Sequence, residues 1–223
     1  MDLVIFDLDG TLVQLDFTAE GMRSVRSNLQ PLFAEVGVER KFKPLLVDLT
    51  DALEAVSETA DENTAARVRD DAFQQVEAME RDAVSRQHVY KDANTVLEQV
   101  AASDATLAIA TNNTREAAKI SIDAAGFPEP DYLVAVDDIS RPKPDPEMID
   151  ALLNRLNSSP DTMVMIGDKK TDAQSAYQAS VDTETTVATI LVNRDGEEQD
   201  STLVDHNIVS LTEVFEVLSI NSP

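Results

Sequence analysis

Five short and nearly continuous apolar runs constrain this fold more than any other feature of the chain. They are LVIF (residues 3–6), TLAIA (106–110), YLVAV (132–136), TMVMI (162–166) and TVATILV (186–192). Continuous apolar character is typical of strands buried on both faces, as in a parallel sheet that helices cover on each side. Helical patterns separate the later runs, and one of them ends at Gly126, a residue type that commonly ends helices. The pattern predicts an α/β fold, a Rossmann-like parallel sheet sandwiched by helices.

Residues 16–87 carry no such strand pattern. Apolar residues recur there at helical spacing, as at Val68, Ala72, Val76 and Met79. We therefore predict an all-α insert over residues 16–87 and an α/β core formed by residues 1–15 and 88–223. The insert is expected to pack on itself, and its place after the first strand favours a cap over the site that this strand carries.

The charge of the chain argues against two classes of partner. Of 223 residues, 42 are acidic and 18 basic, and the formal net charge is −24. Such a surface repels nucleic acid and anionic membranes. No apolar run approaches the roughly 18 residues of a membrane span, and no signal-peptide pattern is present. We expect a cytoplasmic protein without nucleic-acid or membrane partners; a monomer and a homodimer both remain open.

Cysteine is absent, and the chain has only two histidines, His88 and His206. This composition excludes disulfides, thiol catalysis and zinc sites built on sulfur, and it disfavours a zinc site built on histidine.

The first apolar run ends in two aspartates, Asp7 and Asp9, followed by Gly10. Side chains two residues apart share one face of an extended strand. The carboxyl end of a strand is also where open α/β sheets place their ligands. Carboxylates this close raise each other's pKa, and burial adds a desolvation penalty. An ordinary Asp-Gly turn would not need the second aspartate, so we interpret the pair as functional.

Three later strands also end in polar clusters. Thr111 and Asn112 follow TLAIA, where they suit either phosphate binding or helix capping. Lys143 lies in RPKPDP, where the flanking prolines stiffen the loop. The motif indicates either a rigidly held cation or an ordinary proline-rich surface turn. Asp168 and Asp172 follow TMVMI, and they suit either a hard cation such as magnesium or the start of a helix.

Each later cluster is ambiguous alone, but their combination is informative. The ends of four parallel strands would gather four aspartates, one lysine and one hydroxyl at one edge of the sheet. Four carboxylates cannot gather without cations. The lysine and a divalent metal supply the positive charge, and an incoming phosphate completes the balance.

With these motifs, the sequence closely resembles the haloacid dehalogenase superfamily, in its phosphatase branch with a helical cap between the first and second motifs. The motifs DLDGT, Thr111, Lys143 and GDKKTD appear in the family's order. The resemblance covers residues 1–15 and about 88–195, and the pattern is most similar to phosphoglycolate-phosphatase-type enzymes. Gln14 and Ser180 depart from residues common in that family, which leaves the substrate open.

The resemblance implies a hydrolase of small phosphate monoesters that works through an aspartyl-phosphate. Asp7 would be the nucleophile, and Asp9 would be the general acid and then the general base. Thr111 would bind the transferring phosphoryl group, with Leu8 and Asn112 as further substrate-binding residues.

The same resemblance implies that Lys143 neutralises charge on Asp7 and on the phosphate. It implies Mg²⁺ as the cofactor, which a carboxylate oxygen of Asp7, the backbone carbonyl of Asp9 and the carboxylate of Asp168 would hold. Asp172 would bind the metal directly or through water.

Two other functions remain open from the sequence. A sugar-phosphate mutase of the same superfamily would use the same core residues, and a non-catalytic phosphate- or metal-binding module can share the fold. An intact Asp9 and Lys143 argue against pure binding, because binding alone needs no acid/base group.

The predicted cap carries about half of the chain's basic residues. Arg23 and Arg26 are therefore candidates for binding an anionic tail of the substrate, such as a carboxylate. Charge balancing on a solvated helix face is the alternative.

Strong acidity with little lysine resembles the composition of halophilic proteins, in which high salt screens self-repulsion. We therefore predict that the free energy of unfolding and the activity both rise as KCl increases from dilute buffer to about molar concentration. Chemical denaturation and steady-state assays across that range test this. Equal stability and activity at both ends would refute it.

Overall fold

The computed structural model describes residues 1–156, 159–180, 184–196 and 202–218. Within them, one parallel sheet is formed by β1 (Leu3–Phe6), β4 (Thr106–Thr111), β5 (Tyr132–Ala135), β6 (Thr162–Gly167), β7 (Thr186–Val192) and β8 (His206–Ile208). The strand order is β5-β4-β1-β6-β7-β8. Every neighbouring pair is parallel, so all carboxyl ends meet at one edge.

Helices cover both faces of this sheet, which explains why the strands are apolar throughout. Along β1, Val4 and Phe6 join a core cluster with helices α4 (Ala93–Ala101), α5 (Arg115–Ala125) and α8 (Val214–Leu218). Leu3 and Ile5 point the other way, into a cluster with α6 (Glu147–Leu153) and α7 (Lys170–Ser180). Successive side chains of a strand face opposite sides, so both sides must be apolar. The predicted fold class is confirmed.

All five apolar runs form strands, but the sequence did not reveal β8. This edge strand is short, and only Ile208 of its three residues is buried. A single buried residue leaves no apolar run to recognise.

Three helices between the first and second core strands pack around a cluster of their own. They are α1 (Ala19–Ala34), α2 (Leu45–Thr59) and α3 (Glu62–Val84). Leu29, Phe33 and Val56 are fully buried in this cluster. None of the helices in the described ranges is long and apolar enough to cross a membrane.

Two short strands join this helical unit to the sheet. The chain leaves through β2 (Val13–Gln14) and returns through β3 (His88–Val89), and the two pair antiparallel. Helix α3 reaches both parts, because Val76 lies in the helical cluster whereas Ala83 and Val84 lie in the core. We keep the division into a core (1–15 and 88–223) and a cap (16–87) as a proposal.

Candidate active site

The four sequence motifs meet at the carboxyl ends of neighbouring strands. Asp7 follows β1, Thr111 ends β4, Asp168 follows β6, and Lys143 reaches them from the loop after β5. A cavity of about 480 Å³ lies between these groups and the cap. Its lining includes Asp7, Asp9, Thr111, Asn112, Lys143 and Asp172.

The ammonium of Lys143 lies at the centre of the site and is buried. Its Nζ is 2.7 Å from Asp7 Oδ1, 2.6 Å from Asp172 Oδ1 and 2.7 Å from the carbonyl oxygen of Ala110. These acceptors match its three N–H groups. Burial disfavours the charged form, but the Asp172 and Asp7 carboxylates outweigh it and raise the pKa of Lys143. Lys143 therefore remains a cation.

Asn112 holds the loop that carries Lys143. Its Oδ1 accepts from the Lys143 backbone N–H at 3.0 Å, and its Nδ2 donates to the Lys143 carbonyl at 3.3 Å. This reciprocal pair fixes the backbone of the lysine to the end of β4. Asn112 thus has a structural role in addition to lining the cavity.

Asp7, Asp168 and Asp172 form a compact carboxylate cluster. Each offers an oxygen within 4.8 Å of the others. Within the described chain, Asp168 Oδ1 is buried without a hydrogen-bond partner. Burial raises the pKa of Asp7 to about 7, with Lys143 lowering it and the neighbouring carboxylates raising it. An all-oxygen set with an unpaired buried oxygen fits Mg²⁺, which prefers carboxylates and keeps part of its water shell.

Two glycines make this packing possible. A Cβ on Gly10 would lie 2.2 Å from Asp168 Oδ2, and a Cβ on Gly167 would lie 2.3 Å from Asp172 Oδ2. Gly10 also has φ of 96°, a conformation that L side chains rarely adopt. Any larger residue at either position would displace a carboxylate of the cluster.

Asp9 has a different environment from Asp7. Its Oδ1 accepts from the Leu15 backbone N–H at 2.8 Å. Burial raises the pKa of Asp9, while the Leu15 hydrogen bond and the Lys169 charge lower it. Asp9 and Asp7 thus differ in their partners although they share a strand end.

Glu80 is a site residue that the sequence reasoning missed. It lies on α3 and is buried, and its Oε1 accepts from Asn113 Nδ2 at 3.1 Å. Its Oε2 accepts from the backbone N–H of Thr114 at 2.8 Å and also from the Thr114 hydroxyl. Asn113 Oδ1 in turn accepts from the hydroxyl of Thr111 at 2.9 Å. A cap helix thus orients the loop that carries Thr111.

The environment of Glu80 shifts its titration. Burial raises its pKa to about 7, although the hydrogen bonds from Thr114 and Asn113 lower it. The signal in the sequence was its position: Glu80 follows Ala72 and Val76 at intervals of four residues on the buried face of α3. A glutamate that continues an apolar stripe is buried and must find donors.

The side chains of the three other predicted substrate-binding residues do not line the cavity. Arg23 is exposed on α1, and Arg26 donates from Nε to the carbonyl of Phe42 at 3.0 Å. Neither lines the cavity. Leu8 packs its fully buried side chain into the core, so its backbone alone would be available to a phosphate.

Comparisons with known proteins agree with this architecture. A family model described as haloacid dehalogenase-like hydrolase matches residues 4–185. A phosphoglycolate phosphatase from Rhodospirillum rubrum is 32% identical over 186 residues, which cover 80% of this chain and 76% of the relative. The probable phosphatase IndB from Dickeya dadantii is 29% identical over 198 residues, covering 80% and 78%. A solved HAD phosphatase from Thermococcus onnurineus covers 99% of both chains with a TM-score of 0.58; at 22% identity this likeness concerns the fold.

The Gly167→Ala variant tests the packing of the carboxylate cluster. The new methyl group displaces Asp172 and breaks its contact with Lys143, so kcat should fall at least about a hundredfold. Gly126→Ala is the control, since its Cβ meets nothing within 4 Å and its φ of 70° costs stability only. Wild-type kcat in Gly167→Ala would contradict this account.

Glu80→Gln tests the buried carboxyl. The folded-state pKa of about 7 lies above the ordinary 4.5, so the folded protein holds the proton more tightly than the unfolded chain. This stabilisation is fully present below pH 4.5 and is lost as the pH rises through about 7. Between these limits, the free energy of unfolding should fall in wild type relative to Glu80→Gln by on the order of 3 kcal/mol.

Chemical denaturation of both proteins across this pH range measures the difference. The control is Glu77→Gln on the same helix, where the glutamate pairs with Arg81 at the surface and not with the buried network. Parallel stability curves for wild type and Glu80→Gln would show that Glu80 titrates normally.

Proposed function

This chain belongs to the haloacid dehalogenase-like hydrolase family, and from that premise we propose that it is a magnesium-dependent phosphatase. Its substrates would be small phosphate monoesters, hydrolysed through an aspartyl-phosphate on Asp7. The family resemblance read from the motifs is confirmed, and relatives named as phosphatases support the reaction class.

The observation that carries this proposal is the pairing of two aspartates with different environments. Asp7 lies against Lys143 and within the carboxylate cluster, whereas Asp9 lies outside that cluster and accepts a hydrogen bond from the Leu15 backbone N–H. One carboxylate suited to attack and one suited to carry a proton are what hydrolysis of a phosphate ester requires. A module that only binds phosphate needs neither a nucleophile nor a proton carrier.

In the first step, Asp7 attacks the phosphorus atom. Lys143 holds Asp7 Oδ1 at 2.7 Å, which leaves Oδ2 as the attacking oxygen. A P–O bond forms to Asp7, the bond from phosphorus to the ester oxygen breaks, and Asp9 gives its proton to the departing alcohol. Thr111 and the backbone at Asn112 bind the phosphoryl oxygens.

In the second step, water hydrolyses the aspartyl-phosphate. Asp9, now a carboxylate, takes a proton from the water while the water oxygen bonds to phosphorus. The bond between phosphorus and Asp7 breaks, and inorganic phosphate and the free carboxylate result. Lys143 offsets the negative charge of Asp7 and of the phosphate through both steps.

We propose that Asp7, Asp168 and the backbone carbonyl of Asp9 hold Mg²⁺, with Asp172 beside them. Asp172 already contacts Lys143 through Oδ1 and the Lys169 backbone N–H through Oδ2, which favours a water-mediated role. When bound, the ion neutralises phosphate charge so that an anionic carboxylate can approach.

Asp7→Asn tests the mechanism. Removing the nucleophile should lower the hydrolysis of an aryl phosphate at least about a thousandfold, because no aspartyl-phosphate can form. Phosphate release is measured with and without Mg²⁺, and a chelator should abolish the wild-type activity reversibly. Asp104→Asn is the control, since Asp104 is exposed in the loop before β4. Appreciable turnover by Asp7→Asn, or full activity in the chelator, would disprove the proposal.

A further inference from the structure

The cavity over the catalytic residues has two chemically different walls. The sheet edge contributes carboxylates, Lys143, Thr111 and Asn112. The opposite wall comes from the cap and is mostly apolar. Its apolar side chains are Phe17, Met22, Pro44, Leu45, Leu46, Val47, Val76 and Met79. The reacting phosphate belongs to the polar wall, so the rest of the substrate must contact the apolar one.

Two cations of the described chain line the cavity, and each contacts at least one carboxylate. Lys143 contacts Asp7, Asp172 and the carbonyl of Ala110 through its three N–H groups. Lys169 extends from the start of α7 with its Nζ 3.4 Å from Asp168 Oδ2. Both lie on the core side and contact carboxylates there; the Lys143 ammonium is buried, whereas the Lys169 side chain is 60% exposed. Among the described residues, the cap contributes no lysine or arginine to the lining.

An anionic tail on the substrate would therefore meet an unfavourable wall. Burying a carboxylate against apolar side chains without a cation is costly. The charged side chain that the cap does bring to the cavity is Glu80, an acid. Arg23 and Arg26, the candidates for binding an anionic tail, do not line the cavity. Arg26 instead donates to the carbonyl of Phe42, just before the loop that leads to Leu45.

We propose that the substrates are monoesters of uncharged, apolar alcohols, of alkyl or aryl type. This inference rests on the proposed phosphatase function and narrows its substrate class. A cavity of about 480 Å³ accommodates an alcohol larger than a two-carbon group. Burial of that group against the cap supplies the binding free energy, and the cap excludes small anionic esters such as phosphoglycolate by leaving their carboxylate unpaired.

The test compares two esters of similar size, n-propyl phosphate and 2-phosphoglycolate, with the purified enzyme and Mg²⁺. The value of kcat/KM for the propyl ester should exceed that for phosphoglycolate at least about a hundredfold. Along the methyl, propyl and hexyl series, kcat/KM should rise about fourfold per methylene until the cavity is filled.

Variants of the cap wall separate binding from general damage. Met79→Ala should lower the ratio of kcat/KM for hexyl over methyl phosphate about tenfold, because the alkyl chain loses its contact. Leu32→Ala is the matched control: Leu32 packs on the same cap cluster but does not line the cavity, so the ratio should stay at the wild-type value. Val47→Lys, at a half-exposed position on the rim, should raise kcat/KM for phosphoglycolate about tenfold.

The outcomes distinguish the two proposals. If phosphoglycolate is hydrolysed as well as or better than propyl phosphate, and Asp7→Asn abolishes that activity, the phosphatase stands and the apolar substrate class is refuted. The apolar substrate class is also refuted if Met79→Ala and Leu32→Ala lower the hexyl-to-methyl ratio of kcat/KM by the same factor. If none of the esters releases phosphate, the proposed function itself fails, and this inference fails with it.

Discussion

The buried ammonium of Lys143 is the interaction on which the site depends. It joins the end of β1 through Asp7, the end of β4 through Ala110 and the start of α7 through Asp172. Without it, buried carboxylates would face one another at short range, and removing one partner of such a set leaves an uncompensated charge. Asn112, which fixes the lysine's backbone, and Gly167, which leaves room for Asp172, matter because they serve this contact. Three clustered carboxylates beside Lys143 and the largely exposed Lys169 still carry excess negative charge, and this excess fits the Mg²⁺ that we propose.

In our proposals, catalysis and substrate choice come from different parts of the chain. The core edge supplies every group that the proposed chemistry uses, and the cap supplies an apolar wall. Glu80 is the exception that links them, since it lies on a cap helix but orients Asn113 and Thr114 in the loop beside Thr111. Movement of α3 relative to the sheet would therefore disturb the phosphate-binding loop as well as the wall. A substrate group bound against the cap wall could therefore affect the phosphate-binding residues through α3.

Much of the fold was predictable because the sheet is buried on both faces. Five continuous apolar runs identified five of the six strands that the parallel sheet has within the described residues, while β8 has one buried side chain and no run to recognise. The haloacid dehalogenase resemblance was correct because its motifs are local and lie at strand ends. The roles given to individual residues, including Arg23 and Arg26, remain predictions. The structure does show that Arg26 donates to a backbone carbonyl, a use that counting basic residues could not reveal.

By itself, the sequence determined the parallel sheet, the helical insert, the family and the set of residues at the sheet edge. It could do so because burial on both faces and the placement of polar groups at strand ends leave patterns in the order of residues. Only the tertiary structure decided which charges are already paired, that Glu80 joins the site, and that the cap wall is apolar. Those facts depend on contacts between residues far apart in the chain, such as Lys143 with Asp7 and Glu80 with Thr114. Local pattern carries no information about such distances, because packing between the cap and the core sets them.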